Sequence, residues 1–343
     1  MRSSIEKMWY GRSGPVWLAP LSWLYGALMG LRSVLYRLRL RHRIKVGVPV
    51  VVVGNITVGG TGKTPLVAWL STRLSAVGMK VAIVSRGYGG RAKGVTRVTL
   101  HSRASEVGDE PLLLARRAQG TVFIGRDRVA AAKAAVADGA DIVITDDGLQ
   151  HLSLVRHCEI VVIDGQRGFG NGCLLPRGPL RESTRRLRRV NAVVINGAIT
   201  APDFQLPGFL SRTKFLMTMR PSDARPVTGG AALRSLASFR GTGVHAVAAI
   251  GNPQRFFDML REAGLTLYEH PMPDHHAFKS GDLNFGDSLP VLMTEKDAVK
   301  CTAFADDRCW YVPVTAEFRE REARELVDLV LARVKAFRTP AAQ

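Results

Sequence analysis

Short, unbroken apolar runs alternate with longer amphipathic stretches over most of the chain. Residues 46–54 (V-G-V-P-V-V-V-V-G), 80–85, 121–125, 141–145, 159–164 and 191–196 read as strands, and 63–77 and 126–138 as the helices between them. Runs that are apolar at every position, rather than at every second one, belong to strands covered on both faces. The alternation therefore predicts an α/β fold built on a parallel sheet, with ligands gathering at the carboxyl ends of its strands. The pattern resumes further on, with strands over 244–250, 291–294 and 309–314, a helix from Pro253 to Gly264, and a closing amphipathic helix over 317–336. Pro253 suits a first helical turn and Gly264 a stop. A polar stretch with Pro and Gly, from about Thr200 to Arg212, marks the expected boundary. The expected division is an N-terminal segment over 1–45, a larger α/β domain over 46–205 and a smaller α/β domain over 206–343.

The N-terminal segment breaks this pattern. No charged residue occurs from Ser13 to Leu31, and a basic tract follows: Arg32, Arg37, Arg39, Arg41, Arg43 and Lys45. Trp9, Tyr10, Trp17, Trp23, Tyr25 and Tyr36 sit in and around the run. Amphipathic aromatics and long basic side chains are what a membrane–water interface selects. No small-residue cleavage site follows the run, which argues against a removed signal. A single span, a soluble core helix and an interfacial helix remain as readings, and the interfacial helix fits best.

Charge sharpens this. The net charge is +19, and residues 7–105 hold sixteen Lys and Arg with no Asp or Glu. A block of one sign attracts a polyanion: anionic headgroups, a nucleic acid or a phosphorylated substrate. The chain carries no nucleic-acid-binding motif, so an anionic membrane surface and a phosphate-bearing acceptor are the expected partners. No obligate protein partner is inferred. The four cysteines lack zinc or redox spacing and read as small buried hydrophobes.

The chemistry begins at Gly59-Gly60-Thr61-Gly62-Lys63-Thr64, directly after the first apolar run and at the start of a helix. Glycines let backbone amides turn toward phosphate oxygens, and the helix N-terminus adds a favourable dipole. Lys63 is placed to reach the outer phosphates and Thr64 to ligate Mg²⁺. The strict phosphate-loop pattern asks for Gly where Thr57 stands. Thr57, Val58, Gly59, Gly60, Thr61, Gly62, Lys63 and Thr64 are the expected ATP contacts. Asp146 and Asp147 close the strand over 141–145 and are candidate metal carboxylates. Adjacent residues of an extended chain point to opposite sides, so their roles need not be shared. Arg177, Arg181 and Glu182 lie in a Pro/Gly-rich loop. The arginines read as phosphate contacts, with Glu182 as a brace. Arg185, Arg186, Arg188 and Arg189 read as surface or lipid-facing.

The sequence resembles the tetraacyldisaccharide 4′-kinase (lipid A 4′-kinase) family. The segments that carry the resemblance are Gly54–Pro65, Ser85-Arg86-Gly87-Tyr88-Gly89, Gly108-Asp109-Glu110-Pro111, Asp146-Asp147-Gly148-Leu149-Gln150-His151, Leu175–Glu182, Pro273-Asp274-His275-His276 and Thr294-Glu295-Lys296-Asp297-Ala298. Thr57 looks like the family's own version of the loop. The resemblance implies ATP with Mg²⁺, and an acylated glucosamine disaccharide 1-phosphate as acceptor at its 4′-hydroxyl. It implies a P-loop domain linked to a smaller C-terminal domain with the active site between them, working at the cytoplasmic face of the bacterial inner membrane. It also implies Asp109 and His275 as the catalytic pair with Lys63, and Asn55, Arg86, Tyr88, Gln150 and His151 among the substrate contacts. From the residues alone, Asp109 could equally cap a helix and His275 sit in an exposed turn, with His276 or Asp274 in its place. A membrane-docked P-loop switch or targeting ATPase is the alternative function.

Overall fold

The computed structural model describes residues 8–11, 14–201, 204, 206, 208 and 213–338. After the N-terminal helix α1 (Ala19–Arg37) the chain builds a nine-stranded sheet from β1 (Val50–Gly54), β2 (Val81–Ser85), β3 (Thr96–Val98), β4 (Thr121–Ile124), β5 (Ile142–Asp146), β6 (Cys158–Asp164), β7 (Ala192–Asn196), β8 (Lys214–Pro221) and β14 (Val314–Glu317). Their spatial order is β14-β8-β7-β6-β1-β5-β2-β4-β3. Strands β8 through β4 in that order run parallel, and only the edge strands β14 and β3 are antiparallel.

The run Val50-Val51-Val52-Val53 explains the layers. Successive side chains point to opposite faces. Val51 and Val53 pack with Leu66, Leu70 and Leu74 of α2 (Lys63–Ala76), and with Leu326, Val330 and Val334 of the C-terminal helix α8 (Glu320–Arg338). Val50 and Val52 pack on the other face with Ala131, Ala132 and Ala135 of α5 (Arg128–Ala137). Helices α3 (Ala104–Val107) and α4 (Asp109–Arg117) lie between β3 and β4 in the chain.

A second sheet, ordered β11-β10-β12-β13-β9, comprises β9 (Arg225–Pro226), β10 (Gly243–Ala248), β11 (Thr266–Pro271), β12 (Val291–Thr294) and β13 (Cys309–Val312). Helices α6 (Pro253–Glu262) and α7 (Glu295–Cys301) accompany it. The two sheets do not divide at 205/206. Strand β8 lies beyond that point yet pairs with β7, and β14 and α8 return to the first sheet. The smaller unit is therefore inserted between β8 and β14. The strand β8 alternates, with Phe215 and Met217 buried and Lys214 and Thr218 exposed, so it lacks the continuous apolar run of the inner strands.

Candidate active site

The phosphate loop leaves the carboxyl end of β1 and enters α2. Gly59 and Gly62 adopt φ values of 105° and 92°, a left-handed region costly for any side chain. The Asn55 amide donates to Gly59 O (3.2 Å), and the Asn196 amide at the end of β7 donates to Thr61 O (3.0 Å). A Cβ on Gly62 would overlap that Asn196 amide. Thr57 pairs with Leu180 by an isolated bridge, and Val58 N donates to Pro179 O (2.8 Å), so one edge of the loop is laced to the Leu175–Glu182 segment.

The two aspartates point different ways, because β5 ends at Asp146 and Asp147 leaves the extended conformation. Asp146 is buried at the end of β5 with Oδ2 3.5 Å from Thr64 Oγ1, while its Oδ1 is buried without a hydrogen-bond partner. Burial, with Glu110 nearby, pushes its pKa up to about 7. Asp147 takes φ 53° and turns the other way. It lies 3.6 Å from Lys63 Nζ and accepts from Arg181 at 3.1 and 3.3 Å. Burial would raise its pKa, but Lys63 and Arg181 hold it below the usual carboxylate range. An orphaned carboxylate oxygen beside a threonine hydroxyl, at the mouth of a phosphate loop, is a donor set that fits a small hard cation.

Arg181 also reaches the Gln150 side-chain oxygen (3.4 Å), and Gln150 donates to Glu182 (2.8 Å) and to Asn55 O (3.1 Å). Arg177 has a different neighbour from Arg181. Its Nε donates to Gly14 O (3.4 Å), which ties this arginine to the N-terminal segment. Arg186 is likewise no free surface arginine: it bonds both Glu159 oxygens (2.6 and 2.7 Å) and lies 3.3 Å from Glu182. His151 Nε2 is buried without a partner, and burial beside Arg128 and Arg156 depresses its pKa to about 4. Arg86 and Tyr88 line a cavity of about 340 Å³. A second cavity, of about 300 Å³, is lined by Arg32, Arg43, Arg156, Arg186, Gln150 and Glu182 among others.

Asp109 and His275, far apart in sequence, meet across the two sheets. Asp109 opens α4 after Gly108, which acts as the cap, so the carboxylate is not itself the cap. Its Oδ1 accepts from Glu110 N (2.9 Å), and its Oδ2 faces His275 Nδ1 at 3.3 Å. His275 is held at φ 61°, with its amide donating to Ala249 O (3.4 Å). Buried Asp297 accepts from Ala249 N (2.9 Å) and Thr294 Oγ1 (2.6 Å), which fixes that turn against α7. The competing candidates have other partners: His276 binds Asp282 (3.0 Å), and Asp274 lies 3.5 Å from Lys296. Tyr88 packs its ring 4.9 Å from the His275 ring.

Two lysines of α7 complete the cluster. Lys296 Nζ lies 3.0 Å from Glu110, 3.4 Å from His275 Nε2 and 3.9 Å from Asp109, while Lys300 Nζ lies 3.7 Å from Asp109 and 2.9 Å from Asp297. Burial alone would raise the Asp109 pKa, but the His275 hydrogen bond and these lysines bring it below the usual range. The same hydrogen bond raises His275, against the effect of its own burial. Half-buried Lys296 is partly desolvated, yet Glu110, Asp109 and Asp274 raise its pKa.

Lys296 and Lys300 carried no role in the sequence reading, although Thr294–Ala298 stood out as a motif. Arg128 is the other residue that reading missed. It is buried, donates to Gly125 O (3.3 Å), and feels both Asp146 and Asp147, while burial lowers its pKa to about 10. A lone arginine on the inner face of an Ala-rich helix was the available signal. The sheets are joined close by: Arg255 binds buried Asp164 (2.6 Å) and Asn196 O (3.1 Å), and Arg117 pairs with Glu295. Gly251 sits against the loop itself, 3.7 Å from the ideal Cβ position of Gly60.

Residues 15–333 match the family model described as tetraacyldisaccharide-1-P 4′-kinase. The chain belongs to the tetraacyldisaccharide 4′-kinase family. It is 47% identical over 333 residues to the tetraacyldisaccharide 4′-kinase of Methylobacillus flagellatus, with 96% of this chain and 95% of that protein covered. It is 48% identical to the one from Alkalilimnicola ehrlichii, with 97% and 98% covered. The crystal structure of the Aquifex aeolicus family member in complex with ATP superimposes with a TM-score of 0.76 at 27% identity, covering 92% of this chain and 98% of that one. The α/β architecture and the phosphate-loop placement are thus those of an ATP-binding kinase family.

Proposed function

We propose that this protein transfers the γ-phosphoryl group of ATP to the 4′-hydroxyl of a tetraacylated glucosamine disaccharide 1-phosphate, a step of lipid A biosynthesis. Membership of the family supports the reaction and the substrate class. The observation that carries the site assignment is the Asp109–His275 pair, assembled from both sheets, with the adjoining Glu110 near enough to Asp146 to raise its pKa. A P-loop switch or targeting ATPase has no use for such a pair.

In this assignment Lys63 and the backbone amides of residues 59–64 hold and polarise the phosphates. Thr64 and Asp146, with Asp147 beside them, would hold Mg²⁺, which supplies charge neutralisation on the phosphate oxygens when bound. Asp109 accepts the proton of the attacking 4′-hydroxyl as its oxygen bonds to phosphorus and the bond to the ADP leaving group breaks. His275, whose pKa is raised by its contact with Asp109, holds the carboxylate in line. A carboxylate with a lowered pKa is a weak base, which suits a loose transition state in which the proton leaves late. Arg181 is poised on Asp147 to meet developing charge, and Arg128 supports that carboxylate pair from behind. The arginine-lined cavity beside Gln150 and Glu182 suits the acceptor's own phosphate.

A family acting on lipid A precursors works at a membrane, and α1 suits the cytoplasmic face of the inner membrane. The segment Val16–Arg37 is long and apolar enough to cross a bilayer by length and composition. Its bulky residues point outward: Trp17 and Trp23 are 75% and 74% exposed, with Leu21, Leu24, Leu28 and Leu31 beside them. Small or hydroxylated residues, Ala19 and Ser22, face the protein. That inversion suits a helix whose outer face meets lipid, and the arginines that follow keep the catalytic body on the cytoplasmic side. The deciding experiment is transfer of labelled γ-phosphate from ATP to a tetraacyl disaccharide 1-phosphate in detergent. Transfer by the wild type and its loss in Lys63→Ala are expected. Absence of transfer with ATP still bound would refute the proposal.

A further inference from the structure

We propose that helix α1 is a positioning element of the active site, acting through Tyr25 and Ser22 on the loop that carries Arg181. This rests on the kinase reading above. A helix that only anchors the chain needs its outer, apolar face and nothing particular on the inner one. Here the inner face is specific. The Tyr25 hydroxyl donates to Arg181 O (3.0 Å) and the Ser22 hydroxyl to Leu174 O (2.9 Å), and Ser22 Oγ accepts from Arg177 N (3.1 Å). Upstream, Trp9 Nε1 donates to Pro176 O (2.9 Å), and Asn171 N donates to Trp9 O (2.8 Å). The approach is close enough that a Cβ on Gly26 would come within 2.8 Å of Leu174 Cδ1, and one on Gly14 would overlap Arg177 O.

The opposite side of the same loop faces the phosphate loop. Arg181 N donates to Ile56 O (2.7 Å), just ahead of Thr57, and Val58 N donates to Pro179 O (2.8 Å). The peptide groups of Arg181 are thus held from two directions, its N–H by the phosphate-loop strand and its C=O by α1. From that clamped backbone the guanidinium reaches Asp147 and Gln150. The loop is therefore placed jointly, by the phosphate-loop strand on one side and by α1 on the other. A helix seated in lipid would therefore fix both the depth of the enzyme and the reach of Arg181 toward the phosphates. Displacements near an ångström in such groups cost up to about a hundredfold in rate.

The test uses the full chain and a short-acyl disaccharide 1-phosphate assayed below its micelle concentration, without detergent or vesicles, so that anchoring plays no part. Tyr25→Phe removes one hydroxyl and keeps the ring. It is expected to lower kcat about tenfold, with Ser22→Ala adding to the loss, while the KM for ATP, the melting temperature and flotation with anionic vesicles stay as in the wild type. In an Arg181→Ala background the same Tyr25→Phe change is expected to have no further effect, because its influence passes through Arg181. Unchanged kcat in the Tyr25→Phe, Ser22→Ala double variant would overturn the proposal. So would losses that multiply in the Arg181→Ala background, which also decides the matter should the double variant fold poorly. Absence of transfer by the wild type to any acceptor would instead overturn the kinase reading itself, and this inference with it.

Discussion

The carboxylate of Asp109 sits beside His275 and among two cationic side chains, Lys296 and Lys300, with Glu110 and Asp274 opposing them. Asp109→Asn keeps the shape and removes the proton acceptor. It is expected to lower kcat by about 10²–10⁴ while nucleotide titration finds ATP binding unchanged; a drop of less than twofold would exclude Asp109 as the base. The pair also sets a pH dependence. His275 has a raised pKa, so its charge is present below the ordinary histidine value of 6.5 and is lost as pH rises through the raised one. Asp109 has a lowered pKa, so its contribution is present above the ordinary carboxylate range and is lost as pH falls through the lowered one. The profile of kcat/KM should therefore decline as pH rises through the raised His275 value. His275→Gln should remove that alkaline limb; a limb that persists in this variant would belong to another group. Nothing in local sequence pairs these two residues, since no periodicity links positions 109 and 275, and the motif resemblance alone brought them together. Arg177 and Arg181, four residues apart in one loop, looked alike in sequence because side-chain direction there depends on the loop's contacts with α1.

At the scale of elements, the phosphate loop was legible because its chemistry is local: glycines, lysine and threonine between an apolar run and a helix. The inner strands were legible because burial on both faces leaves a continuous apolar signature. Strand β8 and the short strands β9, β11 and β14 were not, since half of their positions face solvent or they span only a few residues. The contact that binds the smaller sheet to the phosphate loop was equally hidden. It is made by Gly251, where a Cβ would overlap the backbone amide of Gly60. Gly251→Ala must push the two apart, and neither backbone is free to yield. The expected result is a KM for ATP raised about tenfold with circular dichroism unchanged. An unchanged KM would mean that this approach does not shape the nucleotide site.

For the whole molecule, charge and apolar surface act on the same side of the problem with different physics. Sixteen of the Lys and Arg residues lie in residues 7–105, a stretch with no Asp or Glu, and the exposed face of α1 falls within it. Electrostatic attraction to anionic headgroups is worth about 1 kcal/mol per basic residue near the surface. It fades with salt as the screening length falls from about 10 Å at 0.1 M to about 3 Å at 1 M. Insertion of Trp17, Trp23 and the leucines depends on apolar area and does not fade. The two contributions can be separated by flotation with anionic vesicles at low and high salt. The wild type should bind at both, more weakly at 1 M, and a Trp17→Ala, Trp23→Ala variant should bind at low salt but be released at high salt. Phosphate transfer to a soluble acceptor should be insensitive to that pair, because both rings point away from the loop that α1 holds. If the double variant stayed on vesicles at 1 M salt, the indoles would not be the apolar hold, and the leucines of α1 would have to carry the seating alone.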